Sequence, residues 1–369
     1  MTFDLIDATT ADIHAALRAG TLTAAELVDR YRARIAAYDD ALNAVLTLNE
    51  DALARARELD EQFAADGLVG PLHGVPVLLK DNQDTRGMPT TAGATALADA
   101  TPGRDAFVVA RLREAGAVVL GKTNLQELSF GVDTLSSLGG ATRNAYDRDY
   151  RPSGSSGGTA AAVAANLAVL GTGSDTCSSV RSPPAFNALV GVRPTRGLVS
   201  RTGIVPLCGT QDTAGPIART VADAARALQV MAGYDPDDPV TARGVGEVPD
   251  DGYVAGLDDD GLDGARIGVA RQFFGSRTGD DEAAATVTAV TERALDELAA
   301  AGATLVDPVE VVDLDSLESA RLLGFEFARD VNRYLAELDD PPHATLADIY
   351  ETGELAPSIA ERFDSLDAD

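Results

Sequence analysis

Lysine, histidine and cysteine are all scarce in this chain of 369 residues, which contains two lysines, three histidines and two cysteines. Two cysteines cannot build a disulfide scaffold, and neither a CxxC nor an HExxH pattern occurs. The histidines are far apart in the sequence, at His14, His73 and His343. We therefore expect no metal site and no cofactor.

Long apolar runs are absent as well. No segment is apolar over the length that a bilayer requires, and the N-terminus lacks the pattern of a signal peptide. The sequence therefore predicts a soluble, cytoplasmic protein without a membrane partner.

Basic residues are outnumbered, with 30 Lys and Arg against 58 Asp and Glu, and the net charge is −28 at pH 7. Such a charge argues against nucleic acid as a direct partner, because phosphates would be repelled. A composition rich in Asp and poor in Lys resembles that of halophilic proteins, whose acidic surfaces stay hydrated in concentrated salt. The hydrophobic content of 45% predicts a globular fold.

The two lysines, Lys80 and Lys122, stand out because arginine supplies every other basic side chain. A lysine amine can lose its proton, whereas an arginine in a protein cannot. Lys80 directly follows the apolar run VPVLL, which predicts a strand, and α/β sheets carry their ligands at the carboxyl ends of strands. A lysine that points into water is the alternative, but the scarcity of lysine favours a functional role.

Residues 151–182 are crowded with small and hydroxyl side chains. Two serine pairs, Ser155–Ser156 and Ser178–Ser179, flank an alanine-rich run typical of a helix and a short run, AVL, typical of a strand. The order loop, helix, strand, loop predicts that the second serine pair returns beside the first. A flexible linker is the alternative, but a linker has no need of the apolar run between the serines.

Two short patterns indicate other chemistries. Residues 116–123, GAVVLGKT, match a phosphate-binding loop, but AVVL is typical of a strand, so Lys122 and Asn124 are expected to hold neighbouring loops together. Residues 154–158, GSSGG, match a nucleophile elbow centred on Ser156, but the polar segment before them does not predict the strand that such an elbow follows. Neither nucleotide binding nor a Ser-His-Asp triad is favoured.

The remaining sequence alternates between helix and strand patterns. Helices are predicted for two segments within residues 9–36, for 50–67, for 104–116, from GKTNLQELSF onward, for PPAF, after TQDTAGP, for 281–303, and for about 315–338 and 344–352. Strands are predicted for AVVL, LVGV, RIGVA and TLVDPVEV. The segment 234–265, dominated by Asp, Gly and Pro, predicts a surface excursion or a boundary.

Five motifs in a fixed order resemble the amidase signature family, in particular its peptide-amidase branch. They are PLHGVPVLLKDN, GKTNLQELSFG, SGSSGGTAAAVAA, GSDTCSSVRSPPAFNALVGVRPTRGLVS and TQDTAGPIARTVAD. The resemblance runs from about residue 4 to the C-terminus and is densest from 71 to 226. It implies an α/β fold, a single domain with a central mixed β-sheet flanked by helices on both faces.

Within that domain, the resemblance implies an N-terminal helical layer at 1–70, a catalytic core at 71–233, the surface excursion at 234–265 and an α/β remainder at 266–369. This remainder is expected to lack the family's C-terminal part.

The resemblance also implies a Ser-cisSer-Lys triad, with Lys80 as the base, Ser155 as the bridging serine after a cis peptide bond, and Ser179 as the nucleophile. The family hydrolyses amides through an acyl-enzyme, and the implied oxyanion hole consists of the backbone N–H groups of residues 176–179, Thr176, Cys177, Ser178 and Ser179.

Four further side chains are expected to support this site. Asp175 and Arg181 are expected to pair, and Ser156 and Thr159 to form hydrogen bonds within the first serine loop.

Two features depart from the family pattern. Many members have Gly-Gly where this chain has Cys177–Ser178. Cys177 as a thiol nucleophile is an alternative, although no histidine lies nearby in the sequence to activate it. The early end of the chain leaves an inactive truncated fragment as another alternative.

The expected function is hydrolysis of a small acylamide or peptide amide to a carboxylate and ammonia or amine. The alternative enzyme is the A subunit of a Glu/Asp-tRNA-dependent amidotransferase, which has glutaminase activity. The expected partner is a small-molecule amide substrate, and a homodimer is retained as one form of assembly.

Overall fold

The chain folds into two compact units. The computed structural model describes residues 3–275, 279–314, 316 and 322–366. The first unit comprises the described part of 1–254 and 322–369, and the second that of 255–321. All candidate site residues lie in the first unit.

Eleven labelled helices occur within the described ranges. They are α1 (Thr10–Arg18), α2 (Ala24–Tyr38), α3 (Ala52–Asp66), α4 (Phe107–Glu114), α5 (Gly157–Ala164), α6 (Ser182–Phe186), α7 (Val221–Met231), α8 (Asp281–Ala300), α9 (Leu323–Glu337), α10 (Leu346–Glu351) and α11 (Pro357–Leu366). Threonine side chains at positions 9, 23 and 220 cap α1, α2 and α7, because each accepts a hydrogen bond from an otherwise unpaired backbone N–H group. Of all these helices, only α8 belongs to the second unit.

A six-stranded mixed sheet forms the centre of the first unit. Its strands, in spatial order, are β1 (Val45–Leu48), β3 (Val118–Thr123), β2 (Pro76–Lys80), β6 (Leu170–Asp175), β8 (Thr213–Ala218) and β7 (Val190–Gly191). A small hairpin contains β4 (Leu135–Ser136) and β5 (Gly140–Ala141). The second unit contains the parallel pair β9 (Arg266–Gly268) and β10 (Thr304–Val306). The first unit thus has the α/β fold predicted from the sequence.

The parallel strands at the centre of the sheet bring two functional segments to one edge. β2 pairs in parallel with both β3 and β6, with Leu78 opposite Gly171. Continuing this register places Lys80 level with Gly173, one residue before Ser174 on β6. The carboxyl ends of β2 and β6 therefore present Lys80 and the start of the second serine loop side by side.

Glycines in β6 allow the first serine loop and α5 to pack directly on this strand. A Cβ atom on Gly173 would lie 2.6 Å from Ser156 Oγ, and one on Gly171 would lie 2.4 Å from Thr159 Cγ2. Both distances are shorter than any tolerable contact, so a larger residue would push α5 away from the sheet. The serine loops approach each other because β6 has no side chain at these two positions.

Two apolar clusters support the first unit. The larger one joins the sheet to α1–α5 and α7. The second packs α9, α10 and α11 against the loops around Ala92, Phe130 and Val205. The second cluster thus fixes the C-terminal helices of this unit beside the loops that follow β2 and β3.

Several predicted elements differ from those observed. No α-helix begins in GKTNLQELSF, because β3 runs on to Thr123 and only a 3-10 turn forms at Glu127–Ser129, with Leu128 at φ 52°. The backbone N–H groups of Gln126 and Leu128 bond to Ser155 and Ala92, so tertiary contacts replace helical ones.

The strand β8 was not predicted, since TAGPIA contains glycine and proline, which are both disfavoured in strands. Helix α11 was not predicted either. The predicted helix 315–338 is observed from Leu323 to Glu337, and its residues 315 and 317–321 lie outside the described residues.

In the part of the chain that the structure describes, no helix combines the length and the apolar character needed to span a membrane.

Candidate active site

Lys80, the last residue of β2, is completely buried and contacts two serine hydroxyls. Its Nζ lies 2.7 Å from Ser155 Oγ and 2.8 Å from Ser174 Oγ. Burial lowers the pKa of Lys80 to about 7, although the carboxylates of Asp175 and Asp212 oppose this shift. The amine is thus neutral in a large fraction of molecules near pH 7, and a neutral amine can accept a proton.

Ser155 lies in a loop that neighbouring backbone and threonine groups hold in place. The Gly154–Ser155 peptide bond is cis, as predicted. The carbonyl oxygen of Ser155 accepts a hydrogen bond from the Gln126 N–H at 3.0 Å. Thr134 Oγ1 donates to Ser153 O at 2.6 Å and accepts from the Gly157 N–H at 3.1 Å. The Ser155 hydroxyl is thereby fixed in the interior against Lys80.

Ser179 lies in the turn between β6 and α6 and is 7% exposed. Among the described residues, its hydroxyl forms no hydrogen bond, either with Ser155 or with another group. The structure thus brings Lys80 and Ser155 into direct contact and leaves the Ser179 hydroxyl without a protein partner in the described ranges.

Asp175 anchors the turn that carries Ser179. Its buried carboxylate accepts a hydrogen bond from the Val180 N–H at 2.9 Å and forms ion pairs with Arg181 at 3.2 Å and Arg193 at 2.6 Å. Arg181 also donates to the carbonyl oxygen of Cys177. The predicted contact between Asp175 and Arg181 is present, whereas the partner Arg193 was missed because it follows β7, 18 residues along the chain.

Four consecutive N–H groups, those of residues 176–179, find no acceptor within the described parts of the chain. The next three N–H groups do have acceptors, since Val180 donates to Asp175, and Arg181 and Ser182 donate to Ser178 O. Unpaired backbone N–H groups beside a serine can stabilise an anionic oxygen. The turn therefore offers the unpaired backbone N–H donors that an oxyanion hole requires.

Asp212 supports the same turn from the adjacent strand end. Its Oδ1 accepts from Thr176 Oγ1 at 2.5 Å, and its Oδ2 accepts from the Leu207 and Cys208 N–H groups at 2.9 and 3.0 Å. Burial raises the pKa of Asp212. Sequence reasoning did not assign this residue to the site, although it is one of only two acidic residues between 151 and 220.

Ser174 and Asn82 are two further site residues that the sequence did not reveal. Asn82 Nδ2 lies 2.9 Å from Ser174 Oγ, so it holds the second hydroxyl that contacts Lys80. Ser174 belongs to the strand β6 itself, and the loop pattern that identified the serine pairs could not detect it.

Ser156 and Thr159 form hydrogen bonds, but not within the first serine loop as expected. Ser156 Oγ lies 3.3 Å from the carbonyl oxygen of Ser174. Thr159 Oγ1 donates to Thr172 O at 3.0 Å and lies 2.7 Å from Thr123 Oγ1. The glycines of β6 bring the strand so close that these hydroxyls reach it, so the two residues join α5 to the sheet.

The second lysine has the structural role predicted for it. Lys122 lies in β3, and its Nζ is 3.0 Å from Pro89 O, from Thr90 Oγ1 and from Asp81 Oδ1. The contact with Asp81 is an ion pair without the alignment of a hydrogen bond. Asn124 joins its own loop to Gly140 and Thr142. Residues 118–123 of GAVVLGKT form the buried strand β3, so this segment does not form a phosphate-binding loop.

Cys177 is exposed, and its environment does not favour a thiolate. Although the residue is exposed overall, nearby protein atoms partly shield its thiol from water, and this shielding together with the carboxylate of Asp175 raises the pKa of Cys177. Since the thiolate is the reactive form, this shift argues against the alternative of a cysteine nucleophile.

A cavity of about 610 Å³ adjoins the buried lysine. Ser174, whose hydroxyl contacts Lys80, lies in its wall together with Asp212 and Thr213. Helix α9 supplies another part of the wall, which includes Asp330 and Tyr334. The cavity can hold a small molecule close to the Lys80 contacts.

The family model described as Amidase matches residues 26–362. The chain belongs to the amidase family. Among solved structures, the peptide amidase of Stenotrophomonas maltophilia is similar, with a TM-score of 0.85 and 42% identity, over 95% of this chain and 72% of that one. An amidase family protein of Bacillus anthracis also has a TM-score of 0.85, with 36% identity, over 95% and 69% of the two chains.

Curated relatives include components of amidotransferases as well as amidases. The A subunit of the glutamyl-tRNA(Gln) amidotransferase from Acidothermus cellulolyticus is 45% identical over 74% of this chain and 53% of its own length. A "probable amidase" of Arabidopsis thaliana is 37% identical over 96% of this chain and 69% of its own. This amidase family chain thus spans between about half and two thirds of the length of these two relatives.

Proposed function

We propose that this chain hydrolyses the C–N bond of a small acylamide or peptide amide. Lys80 is the general base, Ser155 the bridging serine and Ser179 the nucleophile. The single observation that carries the proposal is the 2.7 Å contact between Ser155 Oγ and a completely buried lysine whose pKa is lowered to about 7. A buried neutral amine is the form of lysine that activates a hydroxyl.

The first half of the reaction forms an acyl-enzyme. Neutral Lys80 takes the proton of Ser155, which takes the proton of Ser179, and Ser179 Oγ attacks the amide carbonyl. The backbone N–H groups of residues 176–179 stabilise the oxyanion, a contribution of about 3 kcal/mol per donor. The proton then returns through the relay to the leaving nitrogen, and ammonia or an amine departs.

The second half consumes water by the same route. The relay removes a proton from water, the resulting hydroxide attacks the ester carbonyl, and the relay returns that proton to Ser179 Oγ as the ester bond breaks. The product leaves as a carboxylic acid, which loses its proton to water and becomes the carboxylate. This sequence requires the hydroxyls of Ser155 and Ser179 to lie within hydrogen-bond distance while substrate is bound. Such contacts often tighten only in the complex with substrate.

A second candidate function is glutamine hydrolysis as the A subunit of a tRNA-dependent amidotransferase. The 45% identity to the Acidothermus cellulolyticus protein favours this candidate. It predicts that ammonia release from glutamine depends on partner subunits and a charged tRNA. A free-standing amidase releases ammonia without either of them.

The test is ammonia release from a panel of acylamides and peptide amides in molar KCl. Ser179→Ala and Lys80→Ala should abolish release, whereas Ser178→Ala, the matched control in the same turn, should retain most of it. Full activity of Ser179→Ala, or equal losses in both serine variants, would refute the assigned nucleophile.

We further infer that the enzyme works in the cytoplasm at high salt, since the net charge of −28 is that of a halophilic surface. We propose that the chain assembles as a homodimer. Light scattering measures its mass in solution. A monomer in molar KCl would contradict it.

A further inference from the structure

The cavity beside Ser174 is unusual in its charge. Five arginines and five carboxylates line it, although the whole chain has 58 acidic and only 30 basic residues. The arginines are Arg104, Arg196, Arg201, Arg329 and Arg333, and the acids are Asp212, Asp237, Asp238, Asp330 and Glu337. Positive charge is therefore concentrated here relative to the rest of the protein.

Every carboxylate of the cavity already has a partner within the first unit. The pairs are Asp212 with Thr176, Asp237 and Glu337 with Arg104, Asp238 with Arg201, and Asp330 with Arg329. Asp330 also accepts the Gly209 N–H at 2.8 Å. These acids are consequently not arranged to receive a cationic ligand.

Two arginines of the cavity lack such a partner. Among the described residues, neither Arg196 nor Arg333 has a carboxylate within 4.0 Å. Only Nη2 of Arg196 reaches a protein acceptor in the described ranges, Gly209 O at 3.2 Å, and its Nε is buried without a hydrogen bond. A guanidinium with unused donors in a partly buried site favours an anion.

The neighbourhood of Arg196 increases this preference. Arg201 donates to the same Gly209 carbonyl oxygen, so two guanidinium groups converge on one acceptor. Burial and the nearby positive charge of Arg201 lower the pKa of Arg196. An anion bound here would relieve the repulsion between the two cations.

We propose that this cavity binds a free carboxylate group on the substrate, with Arg196 as the specificity-determining residue and Arg333 as a second cation at the rim. The inference rests on the proposed amidase function and names its substrate class as amides that carry a carboxylate. A carboxylate fits better than a phosphate dianion, because the five acids around the cavity would repel a higher negative charge. Ser174 lines this cavity and contacts Lys80, so the cavity adjoins the lysine end of the proposed relay, while Ser155 and Ser179 are not part of its wall.

The test compares amides of one chain length with and without a carboxylate: succinamate against butanamide, and glutaramate against pentanamide. Hydrolysis is measured for the wild type, Arg196→Gln and the control Arg57→Gln, which removes the same charge from an exposed position outside the cavity. Binding of each amide is measured by calorimetry in the Ser179→Ala background, so that it does not depend on turnover.

The proposal predicts that the carboxylate-bearing amide is preferred by at least about tenfold in kcat/KM. Arg196→Gln should remove this preference by raising KM about 10- to 100-fold for that amide alone, as expected for a charge-assisted hydrogen bond. Arg57→Gln should leave both values unchanged.

Equal use of neutral and carboxylate-bearing amides, or equal losses for both in Arg196→Gln, would overturn the inference and leave the amidase function intact. If no amide is hydrolysed, the proposed function fails, and the calorimetry still decides the inference. Succinamate binding that is lost with Arg196→Gln supports the carboxylate site, and absence of binding overturns it.

Discussion

Replacing Lys80 with methionine should abolish activity and make the folded protein more stable at pH 7. Lys80 is completely buried and meets hydroxyls rather than a directly bonded carboxylate. A buried ammonium without such a counter-ion is costly, and methionine fills a similar volume without a charge. The expected gain in stability therefore measures the cost of keeping a base in the interior.

The magnitude follows from the pKa of Lys80. Burial lowers this pKa from the ordinary 10.5 to about 7. At pH 7 the unfolded lysine is protonated, and the folded lysine must give up much of this protonation, which costs about 4 kcal/mol. Lys80→Met removes this cost but also removes two hydrogen bonds to serine hydroxyls, which together contribute about 2 kcal/mol to the stability of the wild type. We expect Lys80→Met to raise the free energy of unfolding by about 2 kcal/mol.

The pH dependence makes the test specific. Because the pKa of Lys80 is lower in the folded state, the unfolded chain binds more protons between about pH 7 and 10.5, and the stability of the wild type rises with pH across this window. The variant lacks that contribution. The difference in free energy of unfolding between Lys80→Met and the wild type should therefore decrease by about 1.4 kcal/mol per pH unit above pH 7.

Urea denaturation in molar KCl at pH 7, 8 and 9 measures this difference. Lys122→Met is the matched control, and it should destabilise the fold by about 3 kcal/mol, because it leaves the buried Asp81 without its cation. A stability difference between Lys80→Met and the wild type that stays constant with pH would refute the claim that Lys80 is deprotonated by burial.

Three further predictions follow from the same geometry. The kcat/KM for amide hydrolysis should rise about tenfold per pH unit below pH 7 and level off above it, because the neutral form of Lys80 is the base; a profile that is flat from pH 5 to 8 would contradict this role. Asp175→Asn should lower the free energy of unfolding by about 3 kcal/mol in urea denaturation and reduce kcat, because Arg193 loses the ion pair that holds the turn; unchanged kcat would count against the anchoring role. The melting temperature should rise between 0.1 and about 3 M KCl, because salt screens the repulsion among excess carboxylates; a maximum at low salt would contradict the halophilic interpretation.

The sequence reveals the part of the site that depends on residue type and local order. Lys80 is identifiable because lysine is rare and because an apolar run ends directly before it. The two serine loops are identifiable from the helix and strand between them. The structure places Lys80 and Ser155 in contact, as the resemblance to the amidase signature family implies.

The rest of the site depends on contacts between distant segments. Ser174 reaches Lys80 because β2 and β6 are neighbours in the sheet, and Arg193 reaches Asp175 because β7 returns beside β8. Propensity does not predict strand β8, since Gly215 and Pro216 are poor strand residues. Pairing with β6 on one edge, and a hydrogen bond from the Val192 N–H to Pro216 O on the other, hold them extended. The missing helix after β3 has the same cause, because backbone groups there bond to other loops.

The central claim is that Lys80 activates Ser179 through Ser155, and labelling with a fluorophosphonate tests it most directly because no substrate must be assumed. The purified chain is treated in molar KCl, and the modified peptide is located by mass spectrometry in the wild type and in Lys80→Ala. The account predicts modification at Ser179 in the wild type and none in the variant. Modification at Ser156 or Cys177, or labelling of Ser179 that survives in Lys80→Ala, would contradict it.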